Sequence, residues 1–172
     1  MNQDKLEKLY HQLREYVQND QKDLAEKIWF QIKSFLDKDP LGTKNKNSLL
    51  LGPVSINEYK LVKFFLQKKI SPVIYDEDKD NLLHIAVSSA DWWYEQQTLR
   101  EEIGEDSYPT DFTQLLEDNY KIIQLLLEAG VKVNERNKQN KLPIDYTSSQ
   151  KVYDLLKSYL DKELAEQNDS SD

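Results

Sequence analysis

The sequence predicts an all-α protein, a short solenoid of about four helix-turn-helix repeats whose third repeat carries an acidic, aromatic insertion. Three observations lead there. Apolar residues recur at helical spacing along most of the chain. One pattern returns in register, as Val62-x-x-Phe65-Leu66, Ile123-x-x-Leu126-Leu127 and Val152-x-x-Leu155-Leu156, with Ile32-x-x-Phe35-Leu36 as a fainter copy. The copies stand 30 residues apart from Leu36 to Leu66, 61 from Leu66 to Leu127 and 29 from Leu127 to Leu156. The long interval matches one repeat of about 33 residues plus an insertion of roughly 28.

In chain order, Leu6, Leu9, Tyr10, Leu13 and Val17 form the apolar stripe of a first helix that ends near Asn19-Asp20. A second stripe runs Leu24, Ile28, Ile32, Phe35 and Leu36 and is closed by the turn-rich residues 37–47. A third helix is expected from Asn57, a residue suited to an N-cap, through Tyr59, Leu61, Val62, Phe65 and Leu66, stopping before Ser71-Pro72. Helices seeded by residues 82–87 and 120–127 follow, then a short pair over 143–147 and 150–160. The expected organisation is a single domain over 1–162. Within it, residues 1–47 are degenerate capping helices, 48–75 a repeat, 76–134 the repeat with its insertion at about 91–118, and 135–162 a C-terminal cap. Residues 163–172 read as a disordered tail.

Particular residues sharpen this outline. Asn81-Leu82-Leu83-His84, followed by Ile85-Ala86-Val87, and later Leu142-Pro143-Ile144-Asp145, stand at the starts of helices. Leu126-Leu127-Glu128-Ala129-Gly130-Val131-Lys132-Val133-Asn134 closes another. These stretches resemble the Thr-Pro-Leu-His turn and the Leu-Leu-x-x-Gly-Ala-x-Val-Asn stretch of the ankyrin-repeat family. The resemblance is fullest over residues 76–156 outside the insertion, weaker over 48–75 and faintest over 20–47. Each motif has a physical reason. Gly130 suits a left-handed helix end without a Cβ penalty. Pro143 suits a first helical turn, where its missing N–H costs nothing. Paired leucines must bury against a neighbour, because one repeat cannot cover its own apolar face. In the repeat before, Lys69-Ile70-Ser71-Pro72 lacks the family's glycine. The resemblance implies a structural His84 that bonds backbone across repeats. It also implies a concave face of β-turn fingers and first helices, used for protein partners.

Net charge is −8, and it is unevenly spread. Residues 1–75 carry +4, residues 76–120 carry −11 and residues 121–172 carry −1. Such a field repels nucleic acid and attracts a basic protein. With no cysteine there is no disulfide, thiolate metal site or thiol nucleophile. No apolar run is long enough to span a membrane, and the charged N-terminus lacks a secretory h-region, so the expected compartment is the cytoplasm. His11 and His84 make no metal constellation, and four glycines supply no phosphate loop. Neither a nucleophile elbow nor a zinc-binding helix is present in the sequence, and nothing apolar surrounds the paired carboxylates to raise a pKa. No enzymatic activity, cofactor or metal is expected.

The candidate contact residues lie in two places. Trp92, Trp93, Tyr94, Glu101, Glu102, Glu105, Asp106, Tyr108 and Asp111 belong to the insertion. Tyr75, Asp76, Glu77, Asp78 and Asp80 form an acidic finger, and the next finger, residues 135–141, is basic. Rigid aromatics among carboxylates suit docking on a Lys/Arg-rich protein, the charges steering approach. At least one of the two tryptophans is expected to hold the insertion down, leaving Tyr94, Tyr108 and the carboxylates for contact. The finger charges either read a partner of mixed charge or neutralise each other. The expected function is non-catalytic protein binding by a monomer. More specifically it is that of a small cytoplasmic inhibitor of a basic partner, such as the immunity protein of a nuclease toxin. The alternative is a scaffold or effector that engages a cellular protein through its concave face.

Overall fold

A computed structural model describes residues 3–38, 49–103 and 112–169. Among the described residues the fold is all-helical, apart from one isolated antiparallel bridge between Tyr75 and Asn81. The helices are α1 (Gln3–Gln18), α2 (Lys22–Leu36), α3 (Leu51–Ser55), α4 (Tyr59–Gln67), α5 (Leu82–Ile103), α6 (Phe112–Glu128) and α7 (Gln150–Asp169), with a 3-10 turn at Pro143–Tyr146. They pack in sequential pairs: α1 on α2, α3 on α4, α5 on α6, and the 3-10 turn on α7. Successive pairs then stack through like members, α3 against α5 and α5 against the 3-10 turn on one side, α4 against α6 on the other. The first pair joins this stack through α1 on α4.

The recurring sequence pattern is the buried seam of this stack. Val62, Phe65, Ile123, Leu126 and Leu156 are fully covered, as are Ile32 and Leu36, and one apolar core runs from Leu9 to Leu156. Each pair leaves an apolar face that only the next pair can cover. In α2 the buried positions are Ala25, Trp29, Ile32 and Leu36, while Leu24, expected on the stripe, is exposed. Trp29 takes its place by meeting Phe64 edge-on at 6.1 Å and Phe65 at 5.7 Å.

Among the described residues one helix stop is used four times. At Asp20, Asn57, Lys69 and Gly130 the chain turns left-handed, with φ of 56°, 58°, 59° and 83°. Each of these N–H groups, and the next one along, bonds back to the last turn, as in Lys69→Leu66 and Ile70→Phe65 or Gly130→Leu127 and Val131→Leu126. Asn57 therefore closes α3 rather than opening the next helix, and Glu58 stands at the start of α4.

Two turns also match 61 positions apart. The Asp76 carboxylate accepts the N–H groups of Asp78 and Asp80 at 2.8 and 2.9 Å, and the Asn137 amide oxygen accepts those of Gln139 and Lys141, both at 3.0 Å. Lys79 and Asn140, the left-handed residues of the two turns, have φ of 60° and 61°. At the far end α7 continues to Asp169, so helix extends through most of the residues expected to form a disordered tail. There Glu163 accepts the N–H groups of Val133 and Asn134 at 3.4 and 3.3 Å.

Candidate partner-binding surface

The insertion is an extension of two helices beyond the core. Along α5, Leu82, Leu83, His84, Ala86, Val87 and Ala90 are buried, and past Asp91 the side chains of Trp92, Tyr94, Glu95, Thr98 and Leu99 are exposed. Its 22 residues span about 33 Å. α6 packs along α5, Thr113, Leu116 and Glu117 lining one cavity with Tyr94, and core packing resumes at Asn119, which is 1% exposed.

Two polar contacts fix the root. Asp91 accepts the N–H and the hydroxyl of Ser148, at 2.7 and 2.5 Å, tying α5 to the segment before α7. Asn119 donates to the Asn57 side chain at 2.7 Å and to the Ala86 carbonyl at 2.9 Å, tying α6 to the preceding pair. Among the described residues Asn119 Oδ1 has no hydrogen-bond partner, nor has Asn57 Nδ2.

Above the root the aromatics divide. Trp92 is 51% exposed, whereas Trp93 is half-buried, their rings meeting edge-on at 4.5 Å. Tyr94 and Leu99 are exposed, with Glu95 beside them. Tyr94 also lines a cavity of about 290 Å³ where α5, α6 and the start of α7 meet, together with Leu116, Glu117, Tyr120 and Lys151. The Lys151 ammonium lies 4.0 Å from the centre of the Tyr120 ring, a cation held on an aromatic face within the molecule itself. Glu117, Tyr120 and Lys151 were not singled out from sequence, because nothing local links them to Tyr94. Glu101 and Glu102 fall on the last turn of α5. Glu105, Asp106, Tyr108 and Asp111 lie outside the described residues.

The finger surface is built differently. Asp76 is spent on closing its own turn, and Asp80 accepts the Asn137 amide at 2.6 Å. Tyr75 donates to the Glu135 carboxylate at 3.0 Å, and burial, then that bond, push its phenol up. A backbone bond from Lys138 to Asp78 at 2.9 Å joins the two fingers. Glu77 and Asp78 keep exposed side chains, and among the described residues no ion pair links the fingers. Behind them His84, 1% exposed, donates from Nε2 to the Lys141 carbonyl at 3.1 Å and accepts the Asn81 N–H at Nδ1 at 3.2 Å. The histidine thus joins the start of α5 to the backbone at Lys141, 57 residues on.

Among the described residues no helix is long and apolar enough to cross a membrane. No family model matches the chain, and no curated protein matches it.

Proposed function

We propose that the chain is a short ankyrin-type solenoid of about four repeats and that it binds another protein without catalysis. The two matching turns and the two matching helix stops, each 61 residues apart, support the repeat arithmetic. The specific reading is a small cytoplasmic, monomeric inhibitor that covers the basic surface of a partner such as a nuclease toxin, in the manner of an immunity protein.

The observation that carries this reading is the helical extension that presents Trp92 and Tyr94 to solvent within the −11 segment. Both residues sit on a helix whose root is pinned by Asp91 and Asn119, so little ordering is required on binding. Exposed rings fill pockets at low entropic cost, while the surrounding carboxylates occupy the field in which a nuclease holds phosphates. The cavity beside Tyr94 gives a partner's Lys or Arg an aromatic and carboxylate-lined seat, for which Lys151 on Tyr120 is the internal precedent.

A second reading, a scaffold that binds through the fingers, draws on exposed Glu77 and Asp78 standing beside an unneutralised basic finger. Affinity capture separates the two. Wild type, a variant with Glu101, Glu102, Glu105 and Asp106 reversed in charge, and a variant with Glu77 and Asp78 reversed are compared at low and high salt. Loss of a basic partner in the first variant alone supports the inhibitor. Loss in the second alone moves the site to the fingers.

A further inference from the structure

A larger cavity, of about 400 Å³, lies between the α1–α2 turn and α4. Part of its wall is apolar and firmly held. Val17 and Ala25 are buried, and Phe64 is braced edge-on by Trp29. Tyr16 and Tyr59 complete the lining as half-buried rings. The volume falls in the range of sites that hold a ligand or an anchoring side chain, and preformed walls reduce the ordering cost of filling it.

The rim is cationic in a protein of net charge −8. Lys60 is held by Asp20 at 2.7 Å and by the Gln18 carbonyl at 2.8 Å, and Lys68 pairs with Glu26. Lys22 and Lys63 also line the cavity, and among the described residues neither has a carboxylate in ion-pair reach. Lys63 and Lys121 stand 5.7 and 5.5 Å from the Tyr59 ring centre, on α4 and α6. Asp20 reports the same local field. Its bond to Lys60, then the charges of Lys60 and Lys22, hold its carboxyl below the usual range.

We propose that this cavity is a second binding site, for an acidic segment of a protein partner. A carboxylate of that segment is taken by Lys22 and Lys63, and a neighbouring apolar or aromatic side chain rests against Phe64 and Tyr16. A carboxylate is the fitting anion, because Lys60 and Lys68 already hold two carboxylates of this chain at the same place. The site is independent of the inhibitor surface proposed on α5, and it adds a basic contact surface to that acidic one.

The test uses the full chain with Trp92→Phe and Trp93→Phe, which leaves Trp29, braced against Phe64, as the sole tryptophan. The probe is a capped peptide, Glu-Asp-Phe-Leu-Glu-Asp, and its control replaces every acid by the corresponding amide. The site predicts saturable binding by calorimetry, a change in Trp29 emission, weakening with salt, and about a tenfold loss of affinity in Lys22→Glu/Lys63→Glu. Those two side chains are at the surface, and a thermal melt of the variant verifies that it folds. Equal binding of the amide peptide, equal affinity of the reversed variant, or no saturable binding overturns the proposal. Competition by inorganic phosphate as strong as by the peptide overturns the assignment to an acidic segment.

Discussion

Lys69 and Gly130 occupy one structural position 61 residues apart, and changing each measures the energetics of the shared helix stop. The bonding is the same at both. Lys69 N–H reaches the Leu66 carbonyl at 2.9 Å and Ile70 the Phe65 carbonyl at 3.1 Å, while Gly130 reaches Leu127 and Val131 reaches Leu126, both at 3.0 Å. The difference is the side chain carried through a left-handed backbone, with φ of 59° at Lys69 and 83° at Gly130. A left-handed residue with a Cβ costs about 1–2 kcal/mol. Glycine avoids that cost but loses about 0.5–1 kcal/mol more in conformational entropy on folding. Lys69→Gly should therefore stabilise the fold by about 0.5–1 kcal/mol, and Gly130→Ala should destabilise it by a similar amount. A Cβ built at Gly130 meets no atom within 4 Å, so packing adds nothing to the cost. Urea unfolding followed by far-ultraviolet circular dichroism reads both shifts, provided the m-value is unchanged. A clearly destabilising Lys69→Gly, or a Gly130→Ala cost above about 3 kcal/mol, would refute the reasoning, because strain of this kind cannot supply either result.

Three further outcomes follow from single side chains. His84→Ala removes the bond to the Lys141 carbonyl, leaves the buried Asn81 N–H without its acceptor and unpacks the Tyr146 ring. It should cost about 2–4 kcal/mol, against less than about 0.5 for exposed His11→Ala, read as denaturation midpoints. Tyr10 has its phenol pushed up to about 12, first by burial and then by the Glu58 carboxylate. Its folded value exceeds the unfolded one, so its contribution is complete below about pH 10 and is lost as pH rises towards 12. By about pH 11 the wild type should have lost about 1 kcal/mol that Tyr10→Phe retains, allowing for partial exposure. Trp92→Ala should change the melting temperature by no more than about 2 °C yet weaken partner binding at least about tenfold, since half of the ring is already in water.

The buried seam was legible because helical spacing marks the residues that must be covered, and Phe65, Leu126 and Leu156 all lie where that spacing puts them. Gly130 and Pro143 announced a helix end and a helix start through backbone chemistry that only those residues provide. The ends near Asp20 and before Ser71 were also legible, but not that the chain closes them, and α3 at Asn57, in a left-handed conformation. Asp20, Asn57 and Lys69 adopt the same conformation without a glycine, because the bonds closing each helix and the packing beyond it outweigh a local cost. α3 was missed for a related reason: five residues that include Gly52 and Pro53 are too few to show a period.

The choice between Leu24 and the Ala25–Trp29 face of α2 depended on where Phe64 and Phe65 would stand, which is tertiary information. In the candidate site, Asp76 and Asp80 look in sequence like free acids of an acidic finger. Their carboxylates instead close the turn and bind Asn137, uses that adjacent charge alone does not reveal. The cavity beside Tyr94 is assembled from three helices, so no spacing along the chain could have brought Tyr94, Tyr120 and Lys151 together.

The central claim is that the chain grips a basic protein through the hairpin formed by α5 and α6. The most direct measurement is hydrogen exchange by mass spectrometry on the chain alone and on the complex recovered by capture. Slowed exchange over residues 91–118, with residues 76–80 and 137–141 unchanged, is the predicted result. Protection confined to those two fingers, with residues 91–118 exchanging as they do in the free chain, would contradict the account and place the contact on the finger surface.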